Sequence, residues 1–422
     1  MTRILQIFKI PDLRNKVLAV LGLLVVFRVF AAIPIPGIDA DRLRDFFSSS
    51  QLFGFLNIFS GGALDNLSVM MLGVGPYITA TIIMQLLTMV FPNLKKIYYE
   101  EGAIGRAKFN RLSRYLTVPL AALQAYGFLN LLMRQNVLPP LSLGVMLADV
   151  IVVTAGSIIL MWLGELISEF KIGNGVSLVI FAGIVSQIPA AITSALFSYT
   201  TRLLPTYVAF ALLSVLIIAA VVFITQGERK IPVSYAKRIR GNRLYGGVMS
   251  YLPMKVNQAG VIPIIFAISI LIFPQFLAQL VAVVSSDWSA RLNDWVNRFF
   301  NNQLIYAAFY FALVVIFTYF YTAITFEPKE IAKNLQRSGG FIPGIRPGEP
   351  TGDFMARLSH RITLFGAIFL GLVAILPNIT QLLTGIATLT IGGTALLIVV
   401  AVALETMQQL ESQLIIREYE GL

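Results

Sequence analysis

The chain of 422 residues contains no cysteine, so a disulfide framework, a thiolate metal site and a cysteine nucleophile are all excluded. Histidine is nearly absent too. His360 stands alone, and a multi-histidine metal cluster is therefore impossible. Charge is thin: only 13% of residues are Asp, Glu, Lys or Arg, against about a quarter in soluble chains. The strings that mark nucleotide hydrolysis (GxxxxGK[ST]), zinc proteolysis (HExxH) and serine hydrolysis (GxSxG) are all absent. The chain reads as a non-enzyme without cofactor or metal.

What is present is grease, at 57% hydrophobic residues and a mean hydropathy of +0.79. Apolar stretches long enough to span a bilayer recur at about residues 17–33, 72–91, 116–133, 147–170, 175–196, 207–224, 261–283, 304–324, 362–379 and 383–404. The expected fold is an all-α polytopic membrane protein of about ten spans. The first stretch follows Arg3, Lys9, Arg14 and Lys16 and leads into Pro34 and Pro36, so it reads as a retained span and not a cleaved signal.

The loops between the spans alternate in charge. The amino terminus and residues 95–114, 171, 229–255, 329–361 and 417 hold 25 of the 32 Lys and Arg. The opposite loops hold Arg42, Arg44, Arg134, Arg202, Arg291 and Arg298. The positive-inside rule then places both termini in the cytosol, and the net charge of +11 is mostly topology.

Five spans per half would give two halves of opposite orientation. Gly73-Val74-Gly75-Pro76 opens the second span and Gly260-Val261-Ile262-Pro263 opens the seventh, on opposite sides of the membrane. Matched Gly/Pro interruptions suggest inverted repeats with a path between them, although Gly and Pro are common at span ends in general. Residues 54–71 are apolar but hold Gly61, Gly62, Asp65 and Asn66. They fit a re-entrant helix beside a broken span, and equally an amphipathic external loop. No carboxylate lies near the middle of a span; Arg28, Asp149 and Glu165 lie near span ends, where snorkelling explains them.

Several strings, in order and covering nearly the whole chain, resemble the SecY family of protein-conducting channels. They are FSGGALDN (59–66), GVGPYITATIIMQLL (73–87), IGNGVSLVIFAGIV (172–185), SYAKRIRGNRLYGG (234–247), LPMKVNQAGVIPIIFA (252–267), GGFIPGIRPGEPT (339–351) and GGTALLIVV (392–400). The resemblance implies two inverted five-helix halves arranged as a clamshell around an hourglass pore. The amino-terminal half would be residues 1–200, with spans 1–5 and an external plug segment at about 54–71. The carboxy-terminal half would be 201–404, with cytosolic loops at about 227–256 and 327–361, and 405–422 would be a cytosolic tail.

Carried over by motif, the resemblance implies a pore ring of Ile78, Ile82, Ile180, Ile184, Ile265 and Ile398. The first two pairs are spaced i,i+4 and so share a helix face. A plug helix would comprise Phe59, Ser60, Gly61, Gly62, Ala63, Leu64, Asp65, Asn66 and Leu67. Isoleucine offers no hydrogen bond to a passing chain, and an apolar constriction dewets and so excludes ions. The sideways exit to lipid would lie between the second and seventh spans.

The resemblance also implies docking of the ribosome (ribosomal RNA phosphates and proteins) or the motor SecA on Lys237, Arg238, Arg240 and Arg243 of one loop. Lys333, Arg337 and Arg346 would serve from the other. Here Asn242-Arg243 replaces the two adjacent arginines of many relatives. Further implied partners are the membrane subunits SecE and SecG, signal sequences, nascent polypeptides and the lipid bilayer, in the bacterial cytoplasmic membrane. The reading outside this family is a secondary transporter for a small apolar or lipid-like solute.

Overall fold

Lipid offers no hydrogen bond to a peptide group, so an apolar segment crossing it must satisfy its own backbone, and a helix does so locally. The computed structural model follows this rule in the residues it describes: 10–35, 60, 62–64, 67–99, 101–134, 138–197, 204–235, 238–240, 243–245, 249–284, 286–384 and 391–420. The amino-terminal helices are α1 (Pro11–Ala31), α2 (Gly75–Val90), the short α3 (Pro92–Tyr99), α4 (Gly102–Arg134), α5 (Leu143–Glu169) and α6 (Gly175–Phe197). Next come α7 (Leu204–Gln226) and the strands β1 (Glu228–Tyr235), β2 (Arg238–Arg240), β3 (Arg243–Tyr245) and β4 (Met249–Lys255). The rest are α8 (Ile262–Val284), α9 (Ser286–Asn301), α10 (Gln303–Thr325), α11 (Pro328–Arg337), β5 (Gly340–Phe341), α12 (Glu349–Thr384) and α13 (Ile391–Glu420).

Nine of the ten expected spans fall on one of these helices each; the last, at about 383–404, falls mostly on α13, with 385–390 outside the described residues. Among the described residues, five helices are individually long and apolar enough to cross a membrane. A sixth results if α2 and Pro92–Tyr98, bent by 115°, form one broken span. Shorter apolar helices, Gly175–Pro189, Ala211–Gln226 and Ile262–Gln275, lie within α6, α7 and α8.

The helices pack in two sets. In the first, α2 lies on α4 and α5, α4 on α5, α5 on α6, and α1 on α5 and α6. In the second, α8 lies on α10, α10 on α12, α12 on α13, and α7 on α12 and α13. The main contacts between the sets are α8 against α2 and α4, and α13 against α6. Most of these helices feed a single large apolar core that crosses both seams.

The helical class holds, with one addition in the long loops. Strand β1 pairs antiparallel with β4 from Glu228↔Lys255 to Ser234↔Met249, and with β5 at Ser234↔Phe341 and Tyr235↔Gly340. The order β4-β1-β5 therefore ties the loop at 227–256 to the loop at 327–361. Alternation along β1 buries Ile231 and Val233. Ile231 joins Met254, Ile342 and Met355 in a small core of its own. Pro232 lacks an N–H, and it sits where β1 faces β4 without a β5 partner.

The last helix runs on past residue 404, α13 being unbroken to Glu420. Its far end is pinned: Gln413 Nε2 donates to the Lys171 carbonyl at 2.7 Å, and Lys255 Nζ donates to Gln408 Oε1 at 2.7 Å. The snorkelling expectation needs correction at two residues. Asp149 is buried, and Glu165 accepts from Arg114 Nε on α4 at 2.7 Å.

Candidate pore and gate

The two Gly-x-x-Pro strings fold alike. Gly73 has φ +58° and Gly260 has φ +62°, each two residues before a helix begins. Side chains disfavour this left-handed conformation, so glycine is the residue that turns the chain there. Pro76 and Pro263 then occupy the second position of α2 and α8, where no intrahelical N–H is lost. Each turn carbonyl takes one hydrogen bond from a buried side chain. Ser157 Oγ donates to Gly73 O at 3.3 Å, and Asn257 Nδ2 donates to Gly260 O at 3.2 Å. Ile78 and Ile265 lie five residues after their respective turn glycines, in the same register.

Helix α6 has its own fixed start. Asn174 Oδ1 accepts from Ser177 N at 3.2 Å, and Ser168 Oγ accepts from Gly175 N at 2.9 Å. That start sets the phase of Ile180 and Ile184. The six isoleucines come from α2, α6, α8 and α13, two helices from each set, and all are at most 5% exposed. They belong to one apolar cluster.

The segment expected to form a plug meets that core at Ala63. Ala63 is fully buried and shares the core of the isoleucines, while Leu64 and Leu67 turn into a second core with α4 and α5. Ser60 is buried and its hydroxyl accepts from Leu64 N at 3.1 Å. Gly62 faces Gln187 of α6, whose Nε2 a methyl group there would meet at 2.9 Å. Ile35 N donates to Leu67 O and Val69 N to Ile33 O, both at 3.0 Å, which ties the segment to the end of α1. Gly156 of α5 lets the Val69 carbonyl approach so closely that any side chain would strike it. Phe59, Gly61, Asp65 and Asn66 lie outside the described residues.

This arrangement can be set beside known proteins. The family model SecY matches residues 68–407. A protein translocase subunit SecY of Mycobacterium tuberculosis is 44% identical over 97% of both chains. The Corynebacterium glutamicum subunit of the same name is 43% identical over the full length of both. The chain belongs to the SecY family. Among solved structures, one of a protein-conducting channel superposes with a TM-score of 0.63 at 21% identity, covering 93% of this chain and 90% of the other. Sec61 from the canine ribosome-channel complex does so with a TM-score of 0.57, also at 21% identity, with 93% and 90% covered. Both are likenesses of fold.

Within this SecY-family chain the basic loop residues are partly placed. Arg238 and Arg240 lie on β2 and Arg243 on β3, a two-stranded ribbon whose Arg240↔Arg243 pair closes the tip. Lys237 lies outside the described residues. Lys333 and Arg337 are exposed on α11, Lys333 pairing with Glu330 at 3.3 Å. Arg346 is exposed too, its carbonyl accepting from the buried Thr351 hydroxyl at 2.8 Å. The sheet brings the two basic loops together, a juxtaposition that loop charges alone do not reveal.

Sequence reasoning also missed a cavity of about 800 Å³ at the strand-bearing end of the molecule. It opens between the end of α2 (Thr88, Met89), Lys95 of α3, α10, α11 and α12. His360 lines it, its ring 6.0 Å from that of Tyr319. A lone histidine carries no spacing signal that would have pointed here.

Proposed function

We propose that this SecY-family chain forms a passive protein-conducting channel, which passes unfolded secretory polypeptides across the cytoplasmic membrane and releases transmembrane segments sideways into lipid. The observation that supports this reading is that all six isoleucines, from two helices of each set, are buried in one apolar core that also holds Ala63. On this reading the ring closes the waist, and the plug, whose Ala63 shares that core, covers it. Because the closed waist is apolar, water has nothing to bind there and ions stay out. A threading chain meets no donor or acceptor that would hold it.

The two helix sets are the halves of the clamshell. Residues 1–200 form one and 201–404 the other, with both termini in the cytosol. The seam of α8 against α2 and α4 is the sideways gate. An apolar segment of ten residues at about 0.3–0.6 kcal/mol each favours lipid by roughly 3–6 kcal/mol. Sorting then needs no catalytic group. Energy comes from outside, from a translating ribosome or SecA, and subunits of the SecE and SecG kind complete the complex.

The basic loops dock the ribosome. Replacing Lys333, Arg337 and Arg346 by glutamine is expected to weaken ribosome binding and to flatten its salt dependence. The slope of log affinity against log salt should fall by about 0.7–0.9 for each phosphate that the variant no longer neutralises. A titration between low and physiological salt reads this directly, and an unchanged slope removes these residues from the interface.

The function itself is tested by import. Vesicles holding the complete complex are expected to protect a secretory precursor from protease only when motor and ATP are present. Uptake of a small apolar solute without precursor protection would replace the channel by the transporter.

A further inference from the structure

Helix α9 joins α8 to α10 on the face opposite the strands, and its residues sort into four lines. Ser289 and Val296 are seven residues apart, as are Trp288 and Trp295, Arg291 and Arg298, and Asp287 and Asp294. Seven residues are close to two turns, so each pair shares one line along the helix. The line of Ser289 and Val296 is the core line: both are at most 2% exposed, and Ser289 Oγ donates to Ala278 O of α8 at 2.9 Å. The tryptophan line lies about 100° round from it and the arginine line about 160°. The aspartates lie beside the arginines, so the four outer charges cancel.

The tryptophans are half bare, Trp288 at 63% and Trp295 at 61% exposure. Two of the chain's three tryptophans stand in the open on this one short helix, and the third, Trp162 on α5, is 58% exposed on a membrane span. The Arg291 guanidinium sits 5.8 Å from the Trp288 ring centre. Trp295 stacks on Phe299 at 6.0 Å, and Phe299 meets Phe309 of α10 edge-on at 5.4 Å. Phe309 is itself exposed, on the outer surface that Leu304, Ile305 and Ile316 continue down α10. The tryptophan flank is thus continuous with the apolar flank of a membrane span, and it faces the same medium.

We infer that α9 is an interfacial anchor: Trp288 and Trp295 seat in the lipid headgroup boundary of the leaflet opposite the basic loops, with Arg291 and Arg298 among the phosphates above them. Tryptophan prefers this depth because its ring is apolar and its N–H is not. The balanced charge makes the seating indifferent to anionic lipid. The anchor fixes the depth of the α8–α10 hairpin, and so the level at which α8 presents Ile265. Only membrane embedding is required, so the inference stands or falls independently of the gate.

Tryptophan fluorescence of the intact complex in vesicles tests it. The signal is taken from the W162F chain after subtraction of the W162F/W288F/W295F chain, which also removes tryptophans of partner subunits. Lipids brominated near the headgroup are expected to quench about twofold more than lipids brominated near the chain ends. The result should be the same in phosphatidylcholine alone and with phosphatidylglycerol added. Strong quenching by aqueous iodide would overturn the inference, as would quenching chiefly by deep bromines. Indifference to all quenchers would mean a protein partner covers the flank, and would overturn it equally.

Discussion

Serine at Ile78 and Ile184 is expected to turn a silent membrane into a leaking one. Both side chains are at most 5% exposed, in the apolar core proposed to close the waist. Each loses roughly 2 kcal/mol of burial that only the closed state enjoys. Two such losses shift the closed-to-open balance by about a thousandfold, since 1.4 kcal/mol is a factor of ten. Serine adds a hydroxyl that holds water, so the constriction wets as well as loosens. In planar bilayers without substrate the double variant should carry a steady ion current, where the parent carries none. Serine at Ile151 and Ile192, 67% and 54% exposed, should leave the membrane silent. Equal currents from both pairs would mean that the ring is ordinary packing.

The second large effect concerns the turns that aim α2 and α8. Gly73 and Gly260 hold φ of +58° and +62°, and a side chain there costs roughly 1–2 kcal/mol at each site, more when β-branched. The G73V/G260V chain should therefore lose about 2–4 kcal/mol and unfold at clearly lower temperature in detergent. Gly22 lies inside α1 with open space around it, and alanine there should hold or raise the melting temperature by improving helix propensity. If the double valine chain melts with the parent, the turns do not set the helices.

These two predictions draw on signals of different legibility. The spans were readable because hydropathy integrates over many residues and lipid tolerates little else. The paired Gly-x-x-Pro strings were visible too, but their shared conformation and the matching donors, Ser157 and Asn257, emerge only in the fold. The isoleucines carry no signal of their own in a chain rich in apolar residues; resemblance singled them out, and the fold buries all six in its main apolar core.

The sheet was missed because its strands lie among loop charges and their alternation is brief, at Ile231 and Val233 of β1 and Leu252 and Met254 of β4. The two loops it joins are about a hundred residues apart, and no local pattern reports such pairing. Helix α9 reads as a polar connector in a hydropathy window, since its apolar residues share one flank and Asp287, Arg291, Asp294 and Arg298 offset them in the average. Helix α13 outlasts its hydropathy because Glu, Met and Gln favour helix and no Gly or Pro intervenes before Gly421. Arg114 and Glu165, which neutralise one another, are 51 residues apart.

The most direct test of the gate places photo-crosslinking residues at Ile82, Ile184 and Ile265 and stalls a secretory chain halfway across. If a polypeptide threads the waist, all three positions label it, because on this account α2, α6 and α8 all line the path. Labelling of lipid or of neighbouring helices alone, with the stalled chain untouched, would contradict the account.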